Sequence, residues 1–252
     1  MIAGLVALAV LGLVAGTVVN LAVERMPDGG SPFSAGPGCP ECDAPRSGVE
    51  LVPVVGWVAR SGRCRACAVA IPAGYPLVEV ANAVLWVMAG ITFGADWVLV
   101  PYLFLFSVLL AQSVIDLELY RLLDRITFTA LTVSAVALFL VALTDPDPKA
   151  RIVGALIGGV GYFVFLLIPA VISPRGMGLG DVKLAALMGL YLGYLDPLLV
   201  FPAVLAACVL GIGAGGILFF LRGRASRAFP FGPWLALGCV LAIVFHESLI
   251  QG

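Results

Sequence analysis

The chain has 252 residues, of which 62% are hydrophobic and only 12% are charged, whereas a soluble domain carries about 25% charged residues. Its mean hydropathy is +1.11, and its net charge of −1 comes without a broad basic face. These values exclude a soluble globular enzyme, a disordered chain and a nucleic-acid-binding protein. They predict a polytopic membrane protein.

Long uncharged segments divide the chain into candidate membrane spans. A helix needs about 20 apolar residues to cross about 30 Å of hydrocarbon, and on this basis we predict an all-α fold with about eight transmembrane helices. The predicted helices cover residues 2–23, 77–94, 97–115, 126–143, 152–172, 184–195, 198–221 and 231–250. The first is interpreted as a retained helix, because no basic residue precedes it and it exceeds the usual signal-peptide core of about 7–15 residues.

The sixth segment, residues 184–195, is short. We therefore expect it to be tilted, partly buried or extended by Val182 and Lys183. By composition the chain divides into a first transmembrane helix (1–23), a cytoplasmic cysteine-rich segment (24–76) and a seven-helix membrane core (77–252).

The basic residues predict the orientation of these helices. With the N-terminus outside, Lys149 and Arg151 are the only two of the fourteen Lys and Arg residues on the outer side. The other twelve are Arg25, Arg46, Arg60, Arg63, Arg65, Arg121, Arg125, Arg175, Lys183, Arg222, Arg224 and Arg227. This asymmetry follows the positive-inside rule, and it places the cysteine-rich segment and the loops near residues 116–125 and 173–183 on the cytoplasmic face.

Four cysteines in the polar segment form two CxxC pairs, Cys39 with Cys42 and Cys64 with Cys67. Four thiolates in such paired turns satisfy a tetrahedral zinc ion. Disulfides are the alternative, but they are disfavoured on the reducing cytoplasmic side. We predict a structural zinc that holds together a segment with too few apolar residues to form its own core.

Acidic residues at the edges of membrane spans are costly and indicate function. Asp116 follows the third predicted span and Asp181 precedes the sixth, so the predicted topology puts both carboxylates at the inner edge. Asp124 and Glu79 are further candidates. Glu79 lies one turn into the second span, and we interpret it as near enough to the interface to remain solvated. It is either a functional group or a helix-end residue that is solvated or paired with an arginine.

Three alternating glycines, Gly176, Gly178 and Gly180, precede Asp181. Glycine permits positive φ and close backbone approach, so this stretch is expected to leave the helix and admit an extended peptide beside the carboxylate. The alternative is a flexible loop in which the aspartate caps the next helix.

Two neighbouring carboxylates share one proton, because both cannot readily ionise together. One can then take a proton from water while the other polarises a carbonyl, which is the chemistry of hydrolysis. A Ser-His-Asp triad is excluded, since the single histidine, His246, is predicted at the outer end of the last span.

Four motifs resemble those of the type IV prepilin peptidase family, the membrane-embedded aspartic proteases of the GxGD type. The second-aspartate motif is matched by Gly176-Met-Gly-Leu-Gly-Asp-Val-Lys-Leu184, and the first by Val114-Ile-Asp116-Leu. The paired CxxC segment ending in Tyr75-Pro-Leu-Val-Glu79, and Pro230-Phe-Gly-Pro233, also match. The chain departs from the family at Leu123, which precedes Asp124 where the family often has proline.

The resemblance implies that Asp116 and Asp181 are the catalytic pair, supported by the motif residues Gly178, Gly180, Asp124 and Lys183, and it assigns no catalytic role to Asp124. It further implies an enzyme of the inner (plasma) membrane that cleaves a short basic leader after a glycine in prepilins or pseudopilins at the cytoplasmic face. Many members then N-methylate the new N-terminus with S-adenosylmethionine, an activity linked to the cytoplasmic insertion. The implied partners are these substrates and the lipid bilayer, with no nucleic acid.

Two other classes of protein remain open at this point. A proton-coupled transporter could use the same carboxylates, although transporters more often place them near the bilayer midplane. A noncatalytic assembly factor that binds pilin helices is the other alternative.

Overall fold

A computed structural model describes residues 2–34, 38–39, 41–42, 44–45, 48–173, 178–222 and 230–251. Within these ranges the regular elements are helices, and extended backbone pairs only at two isolated bridges, Gly38 with Pro45 and Arg63 with Ala70. The predicted all-α class is therefore confirmed. The helices are α1 (Ile2–Arg25), α2 (Val55–Ala59), α3 (Gly74–Phe93), α4 (Leu99–Leu119), α5 (Asp124–Ala142), α6 (Pro148–Ile172), α7 (Leu179–Leu195), α8 (Val200–Arg222), α9 (Gly232–Val244) and α10 (His246–Gln251). Short 3-10 turns cover Met26–Asp28, Gly48–Leu51 and Pro197–Leu199.

Six helical segments in the described ranges are long and apolar enough to cross a membrane. They are Ile2–Asp28, Gly74–Phe93, Leu99–Leu119, Asp124–Ala142, Pro148–Ile172 and Pro197–Gly216. Large apolar side chains remain exposed along these helices, such as Leu156 on α6 at 56%. An exposed apolar surface of this extent suits contact with lipid rather than water. The remaining apolar helices are shorter, with 17 residues in α7 and 13 in α9.

Two compact units divide the chain, Met1–Ala95 and Asp96–Gly252. In the first unit, α1 and α3 pack closely at glycine. A Cβ on Gly16 would lie 2.6 Å from Cα of Glu79, and one on Gly12 would lie 2.7 Å from Cα of Ala83. The buried Asn82 side chain donates to the Gly12 carbonyl at 2.8 Å. The missing side chains thus allow the backbones to meet, as in small-residue contacts between membrane helices.

In the second unit, α6 and α7 meet through glycines on both helices. Gly158 on α6 lies against Gly189 and Gly193 on α7, and a Cβ on Gly158 would lie 2.6 Å from Cα of Gly193. Backbone atoms leave no room for a side chain at these positions. This contact fixes α7, the helix that carries Asp181.

Buried hydroxyl groups tie α7 to two other helices. The Tyr102 hydroxyl on α4 donates to the Tyr191 carbonyl at 2.7 Å, and the Tyr191 hydroxyl donates to Ser134 on α5 at 2.7 Å. Both tyrosines and the serine are fully buried. Because a buried hydroxyl without a partner is costly, these bonds specify how α4, α5 and α7 pack.

Helix α7 begins earlier than the sixth predicted segment. It includes Val182 and Lys183, as expected, and also Leu179 and Gly180. The expectation that the glycine stretch leaves the helix is wrong for Gly180, which lies in the first turn. It holds for Gly178, which is extended at ψ 140°. Gly176 lies outside the described residues, as do Arg46, Arg175, Arg224 and Arg227 of the orientation argument.

Candidate active site

Asp116 lies in the last turn of α4 and is 6% exposed. Its Oδ2 accepts a hydrogen bond from the backbone N–H of Gly232, the first residue of α9, at 3.1 Å. A Cβ on Gly232 would lie 2.7 Å from that oxygen. Glycine therefore lets the start of α9 reach the carboxylate and bond to it.

Asp181 lies in the first turn of α7 and is 9% exposed. Its backbone N–H donates to the Gly178 carbonyl at 3.1 Å, closing the first turn. The amino end of α7 thus holds the second carboxylate in place.

Leu122, in the connection between α4 and α5, lies beside both sites. A Cβ added to Gly232 would lie 3.3 Å from Cδ2 of Leu122, and a Cβ added to Gly180 would lie 3.0 Å from Cβ of Leu122. Gly232 contacts Asp116, and Gly180 precedes Asp181. Leu122 thus lies between the residue that bonds to Asp116 and the residue that precedes Asp181. The structure therefore brings together the two aspartates that the sequence singled out.

Gln112 holds the connection that carries Leu122. This side chain is fully buried one turn before Asp116. Its Nε2 donates to Thr127 Oγ1 at 2.7 Å and to the Leu123 carbonyl at 3.1 Å, and its Oε1 accepts from the Leu123 N–H at 3.2 Å. One amide thus satisfies both backbone groups of Leu123 and sets the position of its neighbour, Leu122.

Asp124, the first residue of α5, forms an ion pair with Lys183, which lies near the start of α7. Lys183 Nζ is 2.7 Å from Asp124 Oδ2, and it also lies 5.5 Å from the centre of the Phe128 ring. The Asp124 side chain is 56% exposed, so this pair lies at the surface. Such pairs contribute at most about 1 kcal/mol to stability.

In the first unit, the four cysteines of the CxxC pairs converge. Their sulfurs all lie within 4.8 Å of one another, with Cys39 Sγ 3.7 Å from Cys67 Sγ and Cys42 Sγ 3.9 Å from Cys64 Sγ. Four sulfurs at about 2.3 Å from a tetrahedral zinc would be about 3.8 Å apart. All four thiols are free rather than joined in disulfides. The donor set and its spacing fit zinc.

Each CxxC pair sits in a tight turn closed by an isolated bridge. The N–H of Cys39 donates to the Ala44 carbonyl at 3.1 Å, and that of Cys64 donates to the Val69 carbonyl at 2.9 Å. Backbone N–H groups of Cys67 and Ala66 point to the Cys64 sulfur and lower the pKa of that thiol to about 6. This favours the thiolate, which is the form that binds metal.

Glu79 is only 4% exposed, so the interpretation that it remains wet is wrong. Its Oε1 accepts from the Thr17 hydroxyl at 3.0 Å and its Oε2 from the Val54 N–H at 2.7 Å. Close packing of α1 on α3 covers the carboxylate, and these two donors replace water.

Two sequence comparisons match most of the chain. Residues 10–93 match the bacterial Peptidase A24 N-terminal domain, and residues 103–216 match the type IV leader peptidase family. A prepilin leader peptidase/N-methyltransferase of Aeromonas salmonicida (strain A449) is 34% identical over 222 residues, covering 84% of this chain and 72% of the relative. This chain belongs to the type IV leader peptidase family.

Relatives from distant bacteria carry the same name. The prepilin leader peptidase/N-methyltransferase of Bacillus subtilis (strain 168) is 30% identical and covers 96% of this chain and 94% of its own length. The prepilin leader peptidase/N-methyltransferase of Pseudomonas aeruginosa is 32% identical, and the match covers 84% of this chain and 72% of the relative. No solved structure matches the chain. Together with the apolar helices, membership of this leader peptidase family makes the chain a multi-pass membrane enzyme and gives no support to the transporter.

Three residues around the aspartates of this leader peptidase were not singled out from the sequence. Gln112 lies in an otherwise apolar helical segment and Leu122 in a short polar connection. Gly232 stands out in the sequence only as part of a family motif. Gln112 carried the one available signal, an uncharged polar residue one turn before an acidic residue in a membrane helix.

Proposed function

We propose that this leader peptidase is an aspartic endopeptidase that cleaves the basic leader from type IV prepilins or pseudopilins, with Asp116 and Asp181 as its catalytic pair. The observation that carries the proposal is that Leu122 lies beside both Gly232, which bonds to the buried Asp116, and Gly180, which precedes the buried Asp181. Relatives named prepilin leader peptidases supply the class of substrate.

The two carboxylates divide the work of hydrolysis. The Gly232 N–H stabilises negative charge on Asp116, so we assign Asp116 as the base that takes a proton from water. The hydroxide oxygen bonds to the scissile carbonyl carbon while the protonated Asp181 gives its proton to the carbonyl oxygen. The C–N bond then breaks as the proton held by Asp116 passes to the departing amine nitrogen. The C=O bond re-forms, and one hydroxyl proton of the intermediate returns to Asp181.

The orientation proposed from the basic residues places this chemistry at the membrane surface. A total of eight spans with the N-terminus outside requires that α7 and the α9–α10 pair also cross the bilayer, in addition to the six longer helices. Asp116 lies in the last turn of α4 and Asp181 in the first turn of α7. If α4 and α7 are antiparallel, both carboxylates therefore lie at the same face. The positive-inside bias makes that the cytoplasmic face of the inner membrane, where a basic leader would remain.

The first unit supports two further parts of the proposal. The four cysteines would hold a structural zinc, which leaves no open position for a substrate. The relatives' second name, N-methyltransferase, supports methylation of the new N-terminal amine. S-adenosylmethionine would supply the methyl group, whose carbon is electrophilic because it is bound to a positively charged sulfur.

A cleavage assay with three matched aspartate variants tests the catalytic pair. The purified protein is incubated with a prepilin that carries a basic leader and a Gly-Phe junction. Asp116→Asn and Asp181→Asn should each slow cleavage by about 10²–10⁴-fold, the usual contribution of general acid–base catalysis. Asp124→Asn, which alters the exposed ion pair, should cleave at nearly the wild-type rate.

Two outcomes would contradict the proposal. Cleavage that survives in both Asp116→Asn and Asp181→Asn would reject these residues as the catalytic pair. A wild-type protein that binds the prepilin without cutting it would favour the noncatalytic assembly factor.

A further inference from the structure

Leu122 is a half-buried apolar residue in a polar, exposed stretch of the chain. It lies in the connection 120–123 between α4 and α5, where Arg121 before it and Asp124 beyond it are exposed. A leucine that turns away from solvent in such a stretch covers the residues beneath it. Here those residues are at the starts of α7 and α9, beside the two aspartates.

The side chain of Leu122 covers Gly180, the residue before Asp181. A Cβ added to Gly180 would lie 3.0 Å from Cβ, 3.6 Å from Cγ and 3.4 Å from Cδ1 of Leu122. The contact therefore runs along the leucine side chain instead of involving its tip alone. Because Gly180 has no side chain, the leucine lies directly against the backbone in the first turn of α7.

The tip of the same side chain lies next to the Asp116 carboxylate. A Cβ added to Gly232 would lie 3.3 Å from Cδ2 of Leu122 and 2.7 Å from Oδ2 of Asp116. One methyl group and one carboxylate oxygen thus flank the same point, and Gly232 already bonds to that oxygen through its N–H. Leu122 therefore forms an apolar wall that extends from the residue before one aspartate to the surroundings of the other.

Polar contacts hold the backbone that follows Leu122. The Gln112 amide bonds to the carbonyl and the N–H of Leu123 at 3.1 and 3.2 Å. The next residue, Asp124, pairs with Lys183 of α7 at 2.7 Å. A side chain on a fixed backbone selects ligands by size, because an added methyl group in a close-packed space forces its neighbours to shift.

The covalent structure of a peptide decides which substrate side chain meets this wall. Hydrolysis by the two carboxylates requires that the scissile carbonyl carbon lies beside them. The Cβ of the residue that carries this carbonyl is one bond closer to the carbonyl carbon than the Cβ of the following residue. A wall at the carboxylates therefore restricts the residue before the scissile bond more than the residue after it.

We propose that Leu122 is a specificity-determining residue that favours glycine, over any larger residue, immediately before the scissile bond. This inference rests on the proposed function, since it concerns the substrate of the same two carboxylates. A side chain at that substrate position would meet the leucine or displace the carbonyl from its place beside Asp116 and Asp181. A difference of one carbon in such a pocket changes kcat/KM by about 10–200-fold.

A competition assay with two prepilins tests this role. The full-length protein in detergent receives equal amounts of a prepilin with a Gly-Phe junction and one with an Ala-Phe junction. The two released leaders end in glycine or alanine, and their amounts by mass spectrometry give the ratio of the two kcat/KM values. The wild type should prefer glycine by about 10–200-fold, and Leu122→Ala should reduce this preference by about tenfold or more. Leu122→Val should give an intermediate ratio.

Leu119→Ala is the matched control. Leu119 is the last residue of α4 and is 43% exposed, so this variant should keep the wild-type ratio. An unchanged ratio in Leu122→Ala would overturn the inference, because a leucine that only stabilises the fold would alter both rates equally. Leu122→Val decides the question in the same way if Leu122→Ala does not fold.

The wild type separates this inference from the proposed function. Equal cleavage of the two prepilins by the wild type would overturn the role of Leu122 and leave the peptidase assignment intact. A wild type that cleaves neither prepilin would reject the proposed function, and the specificity role with it.

Discussion

Gly232 donates its backbone N–H to Oδ2 of Asp116 over 3.1 Å, across 116 residues of sequence. The bond forms where α9 begins, and the absence of a side chain on Gly232 allows it, since a Cβ would lie 2.7 Å from the same oxygen. A backbone donor of this kind stabilises negative charge without a flexible side chain. It ties the start of α9 to the end of α4 at one of the two carboxylates.

Gly232→Ala should therefore impair catalysis. The added methyl group must displace either the Asp116 carboxylate or the start of α9, and an error of about 1 Å in a catalytic group can cost about 10²-fold in rate. The cleavage rate of a prepilin at saturating substrate measures the effect. Gly213→Ala is the control, because a Cβ there meets nothing within 4 Å, and it should cleave normally. Equal rates for the two variants would show that this contact does not position Asp116.

Gln112→Met should weaken both stability and activity. Methionine has a similar length but cannot bond to Leu123 or Thr127, so buried polar groups lose their partners at a cost of about 1–3 kcal/mol. The free energy of unfolding in detergent should fall by this amount. Cleavage should slow by about tenfold or more if Leu122 moves by a fraction of an ångström.

A pair of threonine variants checks this interpretation. Thr127 is 2% exposed and accepts from Gln112, whereas Thr132 is exposed and donates to the Phe128 carbonyl of its own helix. Thr127→Val should be destabilising, and Thr132→Val should change stability by less than about 0.5 kcal/mol. If Gln112→Met is destabilised but cleaves at the wild-type rate, Gln112 supports the fold and does not position the site.

The apolar helices could be predicted from sequence because bilayer thickness dictates how long a spanning run must be. The same reasoning found Asp116 and Asp181, since an acidic residue at the end of such a run is conspicuous. It could not find Gly232 or Leu122 as neighbours of these aspartates. Their contacts depend on tertiary packing, and neither residue type is unusual in its own segment.

Two predictions that the structure contradicts, the solvation of Glu79 and the continuity of the last helix, both depend on how the helices pack. The position of Glu79 one turn into a helix predicts a solvated side chain, but Gly16 on α1 brings the two backbones together and buries it. Similarly, the last predicted segment of 20 residues is interrupted at Phe245, between α9 and α10. A hydropathy run shows that residues are apolar and does not show where the helix turns.

Removal of zinc should loosen the cysteine-rich segment and leave the membrane helices folded. The metal would join the turns of the two CxxC pairs, so its loss removes a constraint that holds them together. Elemental analysis should find one zinc per chain, and hydrogen exchange after chelation should rise in residues 38–70 while helical circular dichroism is retained. Cys64→Ser should lose zinc, and Cys208→Ala, outside the cluster, should keep it. A metal-free protein whose four thiols titrate as two disulfides would contradict the zinc assignment.

Gly158→Ala and Gly161→Ala should have opposite effects on stability, although both lie on α6. At Gly158 a Cβ would clash with backbone atoms of Gly189 and Gly193, which cannot move without separating the helices. Overpacking of this kind costs about 1–3 kcal/mol. At Gly161 a Cβ meets nothing within 4 Å, so alanine should stabilise the helix by up to about 1 kcal/mol. Because α7 carries Asp181, Gly158→Ala should also slow cleavage, and thermal unfolding in detergent with the cleavage assay measures both effects. Equal stability of the two variants would show that α6 and α7 do not meet through these glycines.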